Sequence, residues 1–183
     1  NGSITLTPDQ LEGVTITPPA DSDDNFDLSL SATDTEGDTV TGTATVAVEA
    51  VADAPDLTAT SAGGAEDTEI ALDIATAVSD TDGSEEIQSV TISGIPEGAA
   101  LSVGEVVDGS VTLSPDQLSG LTITPPDDFN GTMDLSVAST SIEDENGDTA
   151  TTTVPLSIGV SAVPDAPVFT LSPTPVSGLE DAE

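Results

Sequence analysis

The stretch Gly109–Pro126 reads GSVTLSPDQLSGLTITPP and holds two alternating segments separated by a turn. Val111 and Leu113 alternate with polar residues in the first segment, and Leu121 and Ile123 do so in the second. An apolar residue at every second position is typical of a β-strand with one buried face. Between the segments, a serine precedes Pro-Asp-Gln-Leu, which combines a helix N-cap with a favourable first turn. The stretch therefore predicts a strand, a single helical turn and a second strand.

The same pattern occurs 107 positions earlier, where Gly2–Pro19 reads GSITLTPDQLEGVTITPP. Asp-Ala-Pro also occurs twice, beginning at Asp53 and at Asp165. A period of about 110 residues is too long for a solenoid and indicates a tandem array of whole domains. We expect residues 1–54 to be the C-terminal half of one repeat, 55–166 a complete repeat, and 167–183 the first strand of a third. The chain would then begin inside a hairpin and belong to a longer protein.

Alternation with period two continues through the complete repeat and is longest at Val154, Leu156, Ile158 and Val160. Turn residues such as Asp-Gly, Asn-Gly and Pro-Pro separate the alternating segments. About seven short strands in one repeat predict an all-β chain of tandem immunoglobulin-like, cadherin-like antiparallel β-sandwiches joined by short Asp-Ala-Pro linkers. Pro155 has no backbone N–H to donate to a neighbouring strand, so we expect the last strand to lie at a sheet edge there.

The charge of the chain excludes several classes of function. Of its 183 residues, 35 are Asp or Glu and none is Lys, Arg, His or Cys, which gives a formal net charge of −35. Nucleic acids and anionic membrane surfaces would be repelled. Neither a Ser-His or Cys-His nucleophile nor a Cys/His zinc site can be assembled. No apolar run reaches the roughly 18 residues of a membrane span, so we expect no membrane insertion in this segment.

An enzyme is also disfavoured. Paired carboxylates can in principle catalyse glycoside hydrolysis, but the acidic turns here recur from repeat to repeat, and three Phe are the only aromatic residues. Repetition of the acids favours a structural role, and we predict no catalytic residues.

Acidic residues are concentrated in turns, which suggests ion binding. Asp80–Glu86 reads DTDGSEE, and Glu143–Asp148 reads EDENGD. Carboxylates about 5 Å apart repel each other by roughly 1 kcal/mol even in water, and this chain offers no side-chain cation to balance them. Oxygen ligands on flexible loops favour Ca²⁺. The alternative interpretation is a solvated acidic loop on a salt-adapted surface.

In an immunoglobulin-like sandwich these loops lie at the N-terminal end, while the loop between the fifth and sixth strands lies at the C-terminal end. The first linker would therefore gather acids from two repeats. The first junction is expected to bring together Asp21, Asp23, Asp24, Asp53, Asp56, Asp80 and Asp82. The second junction is expected to bring together Glu66, Asp67, Asp127, Asp128 and Asp165. A further candidate is the hairpin with Asp144, Asn146 and Asp148.

Several strings resemble the extender repeats of giant type I-secreted bacterial RTX adhesins. They are VSDTDGSE from Val78, VTISGIPEGA from Val90, Leu113–Pro126, and VPDAP from Val163. This resemblance implies immunoglobulin-like domains joined end to end, rigidified by Ca²⁺, that hold a terminal binding domain away from the cell. Asp53, Glu66, Asp80 and Asp82 also resemble the linker acid, the strand-end Glu and the Asp-x-Asp loop of cadherins.

The sequence therefore predicts a structural spacer of a secreted, extracellular cell-surface adhesin or biofilm matrix filament, with calcium ions and neighbouring repeats as partners. Self-association into a filament or matrix is left open. The alternative function is an adhesive module that recognises a glycan or another cell surface, although no Trp or Tyr is present to stack on sugars.

Overall fold

A computed structural model describes residues 2–80 and 83–170, and within these ranges the protein is built from β-strands and two short 3₁₀ turns. The first part contains a turn at Pro8–Gln10 and two strands, β1 (Phe26–Thr33) and β2 (Thr39–Val46). The complete repeat adds β3 (Asp56–Thr60), β4 (Ala62–Ala65), β5 (Ile70–Ala71), β6 (Asp73–Ala77), β7 (Glu85–Ser93), β8 (Ala100–Leu101), β9 (Ser110–Leu113), a turn at Pro115–Leu118, β10 (Thr122–Thr124), β11 (Gly131–Glu143) and β12 (Thr149–Ser161).

The strands of the complete repeat form one large and two small sheets. The large sheet has the order β4-β12-β11-β7-β9, in which only the β4–β12 pair is parallel. The small sheets have the orders β5-β10-β8 and β3-β6. In the first part of the chain, β1 and β2 form a separate antiparallel pair. The predicted all-β architecture is confirmed, and the arrangement is compatible with a sandwich.

One hydrophobic core joins the three sheets of the complete repeat. Leu57, Ile74 and Ile123 from the small sheets are buried in the same cluster as Ile92 and Val137 from the large sheet. Along β11 every second residue from Met133 onward is buried, as the period-two pattern predicts. Each fully buried aliphatic side chain contributes roughly 1.5–3 kcal/mol relative to exposure.

The predicted turns are also present. Asp108 and Gly109 both have positive φ, as a two-residue hairpin turn requires. The turn at Pro115–Leu118 begins with a capping box between Ser114 and Gln117, and it buries Leu118. Pro155 lies opposite Ser136 of β11, whereas β4 pairs with β12 only from Ile158 onward. Among the described residues, β11 is therefore the only strand paired with β12 at Pro155, which agrees with the expected edge position.

The two copies of the repeated stretch differ in burial. Leu118 and Ile123 are buried in the complete repeat, whereas the equivalent Leu11 and Ile16 are exposed. The second copy of the stretch shares a core with β3–β7 of the complete repeat. Among the described residues, the first copy has no equivalent strands to pack against.

Candidate metal centres

The linker around Asp53 is held by side chains of the complete repeat. The Asp53 N–H donates to Glu85 Oε1 at 2.8 Å, and the Asp53 carbonyl accepts from Ser141 Oγ at 2.7 Å. One residue later, the Ala54 carbonyl accepts from Ser79 Oγ at 2.9 Å. Both polar groups of the Asp53 backbone are thus bound to strand ends of the following repeat, which fixes the direction in which the chain enters it.

The hairpin between β11 and β12 binds the same linker at positions one and three residues before Asp53. Asn146 Nδ2 donates to the Ala50 carbonyl at 2.7 Å, and the Ala52 N–H donates to Asp148 Oδ2 at 3.2 Å. Asn146 Oδ1 also accepts from the Asp148 N–H at 2.8 Å, which fixes the hairpin itself. Asn146 and Asp148, two residues of the predicted hairpin site, therefore form hydrogen bonds with the linker backbone.

A cavity of about 340 Å³ lies between this linker and the two repeats. It is lined by acids from both sides of the linker and from the linker itself. These acids are Asp21, Asp23, Glu49, Asp53, Asp80 and Glu143. Four of them belong to the set expected at the first junction. Asp24 and Asp56 are exposed and are not among the described residues that line the cavity, and Asp82 lies outside the described residues.

Carboxylates at the first junction are unusually buried for a chain without side-chain cations. Glu143 is 3%, Glu85 7% and Asp80 9% exposed. Glu85 and Glu143 lie directly opposite each other at the ends of β7 and β11. Glu85 Oε2 is buried without a hydrogen-bond partner among the described residues. An isolated buried carboxylate costs several kcal/mol unless a positive charge or hydrogen bonds compensate it.

The second junction brings together acids that are far apart in sequence. Carboxylate oxygens of Asp67, Asp128 and Asp165 all lie within 4.8 Å of one another, and this group could hold a metal ion. The Asp128 N–H also donates to Asp67 Oδ1 at 3.2 Å. Glu66 is buried, and its Oε1 accepts from the Val163 N–H of the outgoing linker at 2.6 Å. Asp127, expected in this set, is exposed and lies outside the group.

The two junctions use equivalent residues. Asp21 and Asp128 occupy the same place in the repeated pattern, and both have a left-handed backbone, with φ of 55° and 56°. Asp53 and Asp165 are equivalent in the two linkers. The pair Asp21 and Asp53 lines the first cavity, and the pair Asp128 and Asp165 belongs to the second group. Such φ values are uncommon outside Gly, Asn and Asp.

A third group comprises Asp34, Glu36 and Asp38 in the turn between β1 and β2. All three are exposed, and Asp34 Oδ1 already accepts from the N–H groups of Glu36 and Asp38 at 2.9 Å. The equivalent turn of the complete repeat carries Asp144, whose N–H donates to the Ser84 carbonyl at 2.9 Å. A solvated turn explains this third group as well as an ion does.

Glu85 and Glu143 are the residues that the sequence-based set of ligands lacks. Glu143 was accessible to pattern analysis, since it continues the buried phase of β11 after Ser139 and Ser141. The burial of Glu85 could not be predicted from the pattern. Thr140 pairs with Ser89 and Ser141 with Ile87, so Gln88 is an extra, bulged residue in β7. Such a bulge reverses the inward and outward phase of the strand, so that Glu85 points inward although Val90 and Ile92 would place it outside.

No protein-family model matches this chain, and neither the curated proteins nor the solved structures yield a match. In residues 2–80 and 83–170, no helix is long and apolar enough to cross a membrane.

Proposed function

We propose that this chain is a structural spacer of an extracellular adhesin or matrix filament, made of immunoglobulin-like, cadherin-like repeats that calcium stiffens at their junctions. The observation that carries this proposal is that equivalent aspartates line both linkers. At the first linker, Asp21, which has a left-handed backbone, lines the same cavity as Asp53, and at the second linker a carboxylate oxygen of the equivalent Asp128 lies within 4.8 Å of one of Asp165. Recurrence at a junction is expected of an architectural site.

A cation is supported by the charge balance of the first junction. The cavity is lined by six carboxylates, and the chain has no Lys, Arg or His. Glu85 adds a buried oxygen, opposite this cavity's Glu143, for which the described part of the chain offers no hydrogen-bond partner. A ligand set that consists only of oxygens, on loops and strand ends, suits Ca²⁺ better than softer metals, and its irregular geometry suits Ca²⁺ better than Mg²⁺.

Stiffening follows from where the ligands are attached. Asp21 belongs to one repeat, Asp53 to the linker, and Asp80 to the next repeat. An ion bound by all three would fix the angle that the linker torsions otherwise leave free. The hydrogen bonds from Glu85 and Ser141 to Asp53 already hold one side of the linker, so the ion would have to secure mainly the preceding repeat.

An extracellular location agrees with this chemistry, since calcium sites of extracellular modules have dissociation constants of about 10⁻⁴–10⁻³ M. A chain with sites of this affinity would remain flexible where calcium is scarce and would stiffen after export. The resemblance to RTX adhesin extender repeats points in the same direction.

Calcium titration calorimetry tests the proposal. Asp53→Asn and Asp165→Asn should each remove calcium binding at one junction, while the exposed Asp73→Asn should leave it unchanged, although all three remove one charge. Binding should persist at physiological ionic strength with excess Mg²⁺. Equal titration curves for all three variants would show diffuse counterion binding and would contradict the junction sites.

A further inference from the structure

We propose that Asn146 is a modification site, at which spontaneous deamidation releases the first linker from the complete repeat. Asn146 lies in the hairpin between β11 and β12 and is followed by Gly147. Glycine has no Cβ, so its backbone nitrogen can approach the preceding side chain with little steric hindrance. The hairpin therefore combines a dipeptide that is open to deamidation with a side chain that binds the linker.

The reaction needs only this dipeptide and water. The backbone nitrogen of Gly147 gives up its proton to solvent, attacks Cγ of Asn146 and closes a cyclic succinimide. The bond from Cγ to Nδ2 breaks, and Nδ2 takes up a proton from solvent and leaves as ammonia. Water then opens the ring at either carbonyl, which gives a normal or an isomerised aspartyl residue. Both products carry a carboxylate and no longer have the amide N–H groups.

The amide group that would be lost is the one that binds the linker. Asn146 Nδ2 donates to the Ala50 carbonyl at 2.7 Å, and Asn146 Oδ1 accepts from the Asp148 N–H at 2.8 Å. A carbonyl can only accept and an N–H can only donate, so these two partners fix the orientation of the amide. The carboxylate of a normal aspartyl product can still accept from Asp148 but has no hydrogen to donate to Ala50. The reaction therefore removes the contact with the linker and keeps the contact within the hairpin.

Burial of the linker at this point makes the loss of a donor consequential. Ala50 is only 6% exposed. After deamidation its carbonyl would face an anionic oxygen instead of a donor, and a buried acceptor that is left without a donor is strongly disfavoured. Water can reach this carbonyl only if the linker moves away from the hairpin. The longer bond from the Ala52 N–H to Asp148 Oδ2, at 3.2 Å, opposes that movement only weakly.

The hairpin itself can accommodate a carboxylate at this position. The equivalent turn of the preceding repeat reads DTEGD from Asp34 to Asp38, so Glu36 occupies the place of Asn146. That turn joins the antiparallel strands β1 and β2, as the hairpin joins β11 and β12. Deamidation would therefore change the contact with the linker without unfolding the hairpin.

The bound linker should in turn slow the reaction. The Gly147 N–H donates to the Glu143 carbonyl at 2.9 Å, and the leaving group Nδ2 is bound to Ala50. Both bonds must break before the Gly147 nitrogen can attack. Detachment of the linker breaks the second of them and frees the Asn146 side chain to turn toward Gly147. Because the bond to Ala50 cannot form again after the reaction, transient detachment would become permanent.

Peptide mapping by mass spectrometry tests the reaction, after incubation of the full chain in heavy-oxygen water at mildly alkaline pH. Asn146 should incorporate heavy oxygen slowly in the wild-type chain. The rate should be roughly fivefold higher in Ser141→Ala, which loses the hydrogen bond to the linker carbonyl of Asp53. Ser139→Ala is the matched control, since Ser139 is equally buried and its hydroxyl pairs with Thr76. It should leave the rate at Asn146 close to the wild-type value.

Asn130-Gly131 provides an internal reference in the same digest. It is the same dipeptide at the start of β11, and Asn130 is exposed. Its rate should not differ between the two serine variants, because it lies at the opposite end of β11 from the hairpin.

Asn146→Asp reproduces the normal product and measures its effect on the linker. Hydrogen exchange at the Ala52 amide should be roughly fivefold faster than in Asn130→Asp, which adds the same charge at the other end of β11. The proposal is overturned if Asn146 incorporates no heavy oxygen over a period in which the urea-unfolded chain reacts. It is equally overturned if the two serine variants react alike at Asn146, or if the two aspartate variants exchange alike at Ala52.

Discussion

Among single residues, Glu85 connects the fold most directly to the proposed ion. One of its oxygens accepts from the Asp53 N–H, and the other is buried without a hydrogen-bond partner in the described part of the chain. Glu143 lies opposite it on β11. Without a cation, like charges in a partly dehydrated strand end destabilise the folded state; with a cation, the same charges bind it.

Glu85→Gln should therefore have opposite effects in the two conditions. In chelator the melting temperature should rise by a few degrees, because one buried charge is removed while an amide oxygen can still accept from Asp53. In millimolar Ca²⁺ the stabilisation by the ion should shrink, since one ligand charge is lost. Thermal denaturation in both conditions measures this.

Glu86→Gln serves as the control, because Glu86 is the adjacent exposed residue of the same strand. Glu86→Gln should change neither the melting temperature in chelator nor the stabilisation by Ca²⁺ appreciably. If Glu85→Gln lowered the melting temperature in chelator, the buried carboxylate would contribute to apo stability by itself, contrary to our account.

At the residue scale, some of these contacts could be predicted from the sequence and others could not. Alternation predicted the strands and the buried phase, and the repeats predicted that Asp128 and Asp165 would meet. Pattern analysis did not identify Glu85, because the bulge at Gln88 depends on pairing with β11. It also assigned Asn146 to a metal, whereas the structure uses its side chain to hold the Ala50 carbonyl. Pairing partners and linker contacts are long-range features that local patterns do not encode.

Among the elements, β11 connects the core to the linker. Its buried phase is apolar from Met133 to Val137 and then changes to Ser139, Ser141 and Glu143. Ser139 Oγ pairs with Thr76 Oγ1 at 2.7 Å inside the repeat, whereas Ser141 Oγ donates to the Asp53 carbonyl. The polar end of a core strand therefore binds the chain that enters the repeat.

Ser141→Ala should loosen the linker. Loss of one buried hydrogen bond costs about 1 kcal/mol, and the Asp53 carbonyl would lose its serine partner. Hydrogen exchange should become faster at the Asp53 amide. Ser139→Ala, two residues earlier and equally buried, should lower global stability by a similar amount without this local effect. Identical exchange at Asp53 in the two variants would mean that Ser141 does not hold the linker.

At the scale of the whole molecule, two kinds of contact would determine the shape. Direct hydrogen bonds attach each linker to one repeat, as Glu85 does for Asp53 and Glu66 for Val163. At the first linker, acids from both sides line one cavity, and we propose that their mutual repulsion opposes a fixed angle until a cation binds. Calcium should therefore convert a jointed, self-repelling chain into a stiff one.

Distances between two spin labels across the first linker test this central claim most directly, and the absence of native cysteine makes the labelling specific. Ser31→Cys and Thr112→Cys place exposed labels on either side of the linker, while Thr58→Cys with Thr112→Cys places both within the complete repeat. In millimolar Ca²⁺ we predict a narrow distance distribution across the linker that broadens in chelator, while the pair within the repeat stays narrow in both. A distribution across the linker that has the same width with calcium and with chelator would contradict stiffening by junction ions.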